Sequence, residues 1–294
     1  MPIRFKVRLR IAYWVLIGCI GLAAWPHLVQ AKKDPPTLVT LAPHLTELAF
    51  TAGAGAQVVG VVAYSHWPEA ALELPRIGDA FRFDMEAIVS LDPDMALAWR
   101  GGTPPEVAEQ LQGLGVEVVW IETQTLDQIK TAIEHIGRAA GTAQRAEAQA
   151  KAYAEALAQW QNRAPPNSTA EPVRVFYQIA ARPLYTFGGR HVINEVFASC
   201  DAVNVFGHVD SEALSVDPES VLAAKPDMIV SGHEPNVSGP PVAPFEVWTP
   251  HLDGALAQTT LSVVDPNLLV RPTPRILQGI ERLCALVQNH RDAP

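Results

Sequence analysis

Three sets of side chains in this chain could do chemistry. The first is histidine: His44, His66, His135, His191, His208, His233, His251 and His290 all lie beyond residue 31. A transition-metal centre needs three or four ligands to converge. His44, His66 and His233 each follow an expected strand, so they are the set from which an exported metal-dependent enzyme or metallochaperone would be built. The second set is acidic. Asp84 with Glu86, and Asp217 with Glu219, could each act as an acid–base pair, but acidic residues in a first helical turn are favoured by the helix dipole alone. No G-x-S-x-G elbow, P-loop, dinucleotide fingerprint or H-E-x-x-H helix occurs, so no catalytic constellation emerges. The third set is aromatic. Tyr64, Trp67, Phe81, Trp99, Tyr185 and Phe187 sit at or near expected strand ends, where they suit a large, planar, partly apolar ligand. The alternative is that some are ordinary core residues.

The elements that position these groups follow a pattern written twice. Asp84-Met85-Glu86-Ala87-Ile88 runs on to Pro93-Asp94-Met95, and Asp217-Pro218-Glu219-Ser220-Val221 runs on to Pro226-Asp227-Met228. Each copy reads as a short capped helix, a turn and an apolar strand, one in each half of the chain. Chance similarity of two αβ units is the alternative. Glu86 and Glu219 project from the same place in each copy, so matched exposed carboxylates could dock a symmetric basic partner.

Strand patterns at Thr37–Leu41, Val58–Val62, Met95–Ala98 and Val116–Ile121 alternate with helical ones, which predicts a mainly parallel sheet. Ligands of such sheets bind beyond the carboxyl ends of the strands. From Thr142 to Arg163 the chain is Ala-rich and lacks Gly and Pro, which predicts a long helix. The expected organisation is an N-terminal lobe over 32–141, a connecting helix over 142–163, and a C-terminal lobe over 172–294. The helix could instead pack within the first lobe. Residues 182–189 read as a loop, and those from Asp265 to Pro274 run between an expected strand over 261–264 and a closing helix over 275–288. The fold class is therefore α/β: two Rossmann-like lobes with mainly parallel sheets, joined by a long rigid backbone helix, with the ligand cleft between them.

Residues 1–31 read as a cleavable export signal: Arg4, Lys6, Arg8 and Arg10, then an apolar run, then Val29-Gln30-Ala31. A retained anchor is the alternative, although the apolar run is short for a membrane span. Leu16-Ile17-Gly18-Cys19 also resembles a lipoprotein box, but more apolar sequence follows it than a polar tether. Of 22 Lys+Arg, four lie in this leader, which leaves 18 against 31 Asp+Glu, a net charge of −13. Nucleic acid is a poor partner for so acidic a chain. Beyond the leader only Cys200 and Cys284 remain of three cysteines, and an even pair in an exported chain reads as one disulfide. Two separate buried thiols are the alternative.

The segments LAPHLTELAFTAGAG, VGVVAYSHWPEAA, LDPDMALAWRGGTPPEV, GVEVVWIE, SVLAAKPDMIV and VRPTPRI resemble the cobalamin-binding branch of the periplasmic substrate-binding proteins, those with a rigid backbone helix. The likeness covers nearly the whole chain beyond the leader. The AWRGG loop and the paired cysteines are its more specific marks; LAPHLTELAF marks the broader class, which also takes haem and iron–siderophores. The resemblance implies that Tyr64 and Trp99 pack on the corrinoid from the first lobe and Tyr185 from the second. Phe81 would stand for an aromatic expected near Ala80. The segment from Asp265 through Leu269 and Val270 to Arg271 would meet the corrin amides. Glu86 and Glu219 would meet arginines of an inner-membrane ABC permease dimer with its ATPase. The implied protein is periplasmic, monomeric and not an enzyme, with cobalamin as ligand and neither metal nor catalytic cofactor of its own.

Overall fold

The computed structural model describes residues 35–79, 82–162, 171–232 and 245–293. The expected leader, Phe81 and His233 lie outside them. In chain order the first lobe carries β1 (Leu38–Thr40), α1 (Pro43–Thr51), β2 (Val58–Val61), α2 (Met85–Ser90), β3 (Met95–Trp99), α3 (Pro105–Gly113), β4 (Glu117–Ile121) and α4 (Leu126–Ala139). After α5 (Ala143–Gln161), the second lobe begins with β5 (Val173–Gln178), β6 (Ala180–Ala181), β7 (Leu184–Phe187), α6 (Ile193–Ala198), β8 (Ala202–Asn204) and β9 (Ala213–Ser215). It closes with α7 (Pro218–Ala224), β10 (Met228–Gly232), β11 (Thr260–Val264), α8 (Pro266–Leu269) and α9 (Ile276–Arg291).

Each lobe is built on a four-stranded parallel sheet, ordered β2-β1-β3-β4 in the first and β11-β10-β5-β8 in the second. The repeated sequence forms the same unit in both. Asp84 caps α2 by accepting from the Ala87 amide at 2.9 Å, and Asp217 caps α7 by accepting from the Ser220 amide at 2.6 Å. The Asp of each Pro-Asp-Met then ties the following strand to its neighbours. Asp94 accepts the Thr37 amide through its carboxylate (2.8 Å), and Asp227 accepts that of Arg174 (2.8 Å). Their backbone carbonyls accept from Glu117 (3.0 Å) and Thr260 (2.9 Å), at the start of the strand on the other side. Matched residues thus make matched bonds, which chance similarity does not require.

Period-2 alternation sends successive residues of β1 and β3 to opposite faces. Leu38, Met95 and Leu97 join one core, while Val39, Ala96 and Ala98 join a second. The first of these cores does not stop at the lobe. It runs through α1, α4 and α5 into Val175, Tyr177, Met228 and Val230 of the second sheet, and on to α6 and α9.

The helix expected over 142–163 is α5, which spans 143–161 because Asn162 already forms its C-cap. At about 1.5 Å per residue its 19 residues reach roughly 28 Å. It packs along α4 and also meets α9. A Cβ at Gly137 of α4 would lie 2.1 Å from the Ala146 Cβ, so only glycine lets the two helices approach so closely. Cys200, just past α6, and Cys284 of α9 form a disulfide.

One expectation needs correction. Residues 182–189, expected as a loop, contain β7, which pairs antiparallel with β6 and β9. The segment after Asp265, to which the sequence reading assigns no element, carries α8, which Asp265 caps by accepting from the Asn267 amide at 2.9 Å. Pro266 occupies the first helical turn, where its missing N–H costs nothing.

Candidate functional site

In each sheet the strand order reverses at one point, between β1 and β3 in the first lobe and between β5 and β10 in the second. Ligand sites of open α/β sheets lie beyond the strand carboxyl ends at such points. Here the two sets of strand ends meet. Gln124 and Leu126, just past β4, hydrogen-bond Glu212 and Glu195 of the second lobe, the latter pair at 2.6 Å. Arg275, just before α9, grips the buried Glu47 of α1 through two bonds of 2.8 and 2.7 Å.

Tyr64 stands on the loop after β2 at φ +64. The left-handed region costs a non-glycine residue on the order of 1 kcal/mol, so something must hold it there. The next residue does so. Ser65 is fully buried and accepts from Thr46, whose hydroxyl pairs with Thr40 at 2.6 Å, which fixes the turn to α1 and β1. The tyrosine is left 55% exposed, and Trp67 beyond it 49%.

Trp99 ends β3. Its indole is half-buried, with the His44 ring edge-on at 5.1 Å. Gly101 and Gly102 fold against it so closely that a Cβ on either would come within 2.7 Å of the ring. The AWRGG sequence is therefore a packing requirement: no side chain fits where the loop turns over the indole. The indole Nε1–H is buried and donates to no acceptor among the described residues.

In the second lobe Tyr185 pairs with Ala180, directly past β5, and with Ser215 of β9. Along β7 Leu184 and Thr186 turn inward, while Tyr185 stays 39% exposed. Tyr64, Trp67 and Tyr185 are the exposed aromatic side chains among the described residues. Phe187 stacks on His191 with ring centroids 3.7 Å apart. One nitrogen of His191 accepts from the Ile193 amide at 3.1 Å, leaving the other to serve the Val270 carbonyl. This imidazole positions the segment that Leu269, Val270 and Arg271 belong to. Leu269 itself is buried, whereas Asp265, Val270 and Arg271 are half-buried.

Burial lowers His191 to about 3, opposed by its bond to Val270. Burial, then the Arg271 charge, then His191 lower His44 to about 3 as well. Glu212 goes the other way: burial raises it to about 7 against the Gln124 bond and the Arg190 charge. His44 is buried against Trp99 and Thr123, while His66 is exposed beside Tyr64. Among the described residues no three His, Cys, Asp or Glu side chains cluster as metal ligands. Glu86 and Glu219 both lie exposed in the first turns of α2 and α7.

A surface hollow of about 610 Å³ beside β8 contains none of the expected site residues. Three of its polar lining residues are engaged: Asn194 donates to Gly188 and His191, Asn204 to Phe187, and Arg174 to Ala224. The residues that sequence reasoning missed are the cross-lobe contacts, above all Glu47 with Arg275. The one sequence signal was an acidic residue between the apolar Leu45 and Leu48 of α1.

Two parallel α/β lobes with facing strand ends are the architecture of the two-lobed binding proteins. The chain belongs to the periplasmic binding protein family, whose model matches residues 38–238. It is 30% identical to the vitamin B12-binding protein of Vibrio cholerae over 273 residues, 93% of this chain and 96% of that one. The crystal structure of the periplasmic vitamin B12-binding protein BtuF of Vibrio cholerae superposes with a TM-score of 0.76 at 30% identity, covering 88% of this chain and 99% of that one. A periplasmic heme-binding protein from Pseudomonas aeruginosa gives a TM-score of 0.70 at 26% identity, covering 88% and 94%.

Proposed function

We propose that the protein captures cobalamin or a related corrinoid in the periplasm, after cleavage of residues 1–31, and delivers it to an ABC permease dimer with its ATPase. It binds without catalysis and acts as a monomer. The observation that carries this reading is the placement of exposed aromatics. Tyr64 and Trp67 follow β2 and Tyr185 lies on β7, where it pairs with Ala180 just past β5, and exposed rings attract a large planar ligand. Trp99 backs them in the first lobe, and the segment from Asp265 to Arg271 offers polar groups to corrin amides in the second. The likeness to vitamin B12-binding proteins supports the same ligand.

Two helix starts, each with a capping Asp and an exposed Glu, support docking at both ends of the body through Glu86 and Glu219. A haem carrier is the second reading, favoured by the Pseudomonas aeruginosa likeness. His44 and His191 are buried and engaged, so neither is placed as an axial iron ligand, and such a ligand would have to come from the exposed Tyr64 or His66. Calorimetry of the purified protein with cyano-, aquo- and adenosylcobalamin, haem and a ferric siderophore tests both. Heat with corrinoids alone is expected; heat with haem alone would transfer the assignment.

A further inference from the structure

Arg275 is occupied in two ways at once. Its Nε and Nη2 donate to the two carboxylate oxygens of Glu47, and its guanidinium lies over the Trp67 ring, 4.6 Å from the centroid. The ion pair is secluded, with the Glu47 side chain 4% exposed and that of Arg275 18%. Glu47 belongs to α1 of the first lobe, Arg275 to the approach to α9 in the second, and Trp67 to the loop that carries Tyr64. A planar cation held edge-on by a carboxylate keeps its face for an aromatic ring.

We propose that Arg275 is a positioning residue of the binding cleft: anchored by Glu47 across the lobe junction, it pins the Trp67 indole as a wall against which a planar ligand stacks. The proposal deepens the cobalamin-binding reading and rests on it. A half-exposed tryptophan free to rotate would lose conformational entropy when a ligand stacked on it. One backed by a fixed guanidinium has already lost it, which favours binding. The same anchoring ties the first-lobe aromatic loop to the second lobe, so the ring orientation depends on Arg275.

Calorimetry with cyanocobalamin on wild type, Trp67→Leu, Arg275→Lys and the double variant tests it, alongside the indole N–H resonance of Trp67 in the ligand-free proteins. Trp67→Leu leaves the ion pair in place, and Arg275→Lys keeps the charge while removing the flat fork, so both variants are chosen to fold. Each single substitution is expected to weaken binding about tenfold. The double variant should bind no more weakly than Trp67→Leu alone, because Arg275 acts through the ring. The resonance that vanishes in Trp67→Leu should shift in Arg275→Lys and in Glu47→Gln, although Glu47 is bonded to Arg275 and not to the indole. Equal losses from Arg275→Lys with and without Trp67, or a Trp67 resonance unmoved by either substitution, would overturn the proposal. Should wild type bind no corrinoid, the ligand assignment falls on its own, and the resonance alone decides whether Arg275 pins the ring.

Discussion

The carboxylate of Glu195, in the second lobe, accepts the backbone N–H of Leu126, the first residue of a first-lobe helix, at 2.6 Å. The first amides of a helix have no partner within it, and Thr125 and Gln128 satisfy the neighbouring ones through a reciprocal capping box. One lobe therefore completes the helix cap of the other. Replacing Glu195 with Ala is expected to cost about 1 kcal/mol, the scale of a lost cap near a helix dipole. Hydrogen exchange should quicken at Leu126 through Gln128. Unchanged protection there would show that the contact does not hold the helix start.

Tyr64 combines strain with exposure. Glycine adopts its φ of +64 without steric cost, so Tyr64→Gly should raise stability by up to about 1 kcal/mol in urea titration. Corrinoid affinity should drop about tenfold with the loss of the ring. A variant that gained stability and kept full affinity would remove Tyr64 from the site.

Acid should destabilise this protein in two stages. His44 and His191 have folded values near 3 against 6.5 for free histidine, so below pH 6.5 the unfolded chain takes up protons that the folded chain refuses. Glu212 acts in the opposite sense between about 7 and its ordinary 4.5, where the folded chain holds the extra proton. The decline should therefore be shallow from pH 6.5 to 4.5 and steeper below, each uncompensated proton contributing at most about 1.4 kcal/mol per pH unit. Glu212→Gln should remove the shallow stage. A thermal midpoint that stayed level from pH 6.5 to 3.5 would contradict this account of the two imidazoles.

The Cys200–Cys284 bridge closes a loop with a sequence separation of 84. Replacing both cysteines with alanine is expected to lower stability by about 2–5 kcal/mol, chiefly by freeing the unfolded chain. Equilibrium urea curves of the two forms measure it directly; coincident midpoints would mean that packing of α6 on α9 suffices.

Glu86→Ala combined with Glu219→Ala should leave ligand affinity within about twofold and lower uptake through a reconstituted permease roughly tenfold or more, as for truncated interfacial charges. Loss of ligand binding would assign both carboxylates to the fold instead.

Most of the architecture was legible because local signals agreed with one another. Strand–helix alternation, the Asp caps and the Pro-Asp-Met repeat are short-range features, and each formed the element it predicts. The β7 strand was hidden: its alternation is only four residues long, Leu184-Tyr185-Thr186-Phe187, and Pro183 and Gly188-Gly189 around it read as punctuation. The turn of α8 had a usable signature in the sequence, a capping Asp followed by Pro. The aromatics could be assigned to strand ends but not their exposure, which depends on buried partners such as Ser65. Glu47 and Arg275 lie 228 residues apart, and no local pattern pairs residues at that distance.

The unbroken apolar seam running from the first sheet through α4, α5 and α9 into the second leaves this molecule no thin waist at which to flex. Empty and filled forms should then share nearly one silhouette. Whatever distinguishes them from outside has to feel the lip of the cleft, where an occupant replaces water, and not a swing of one half against the other.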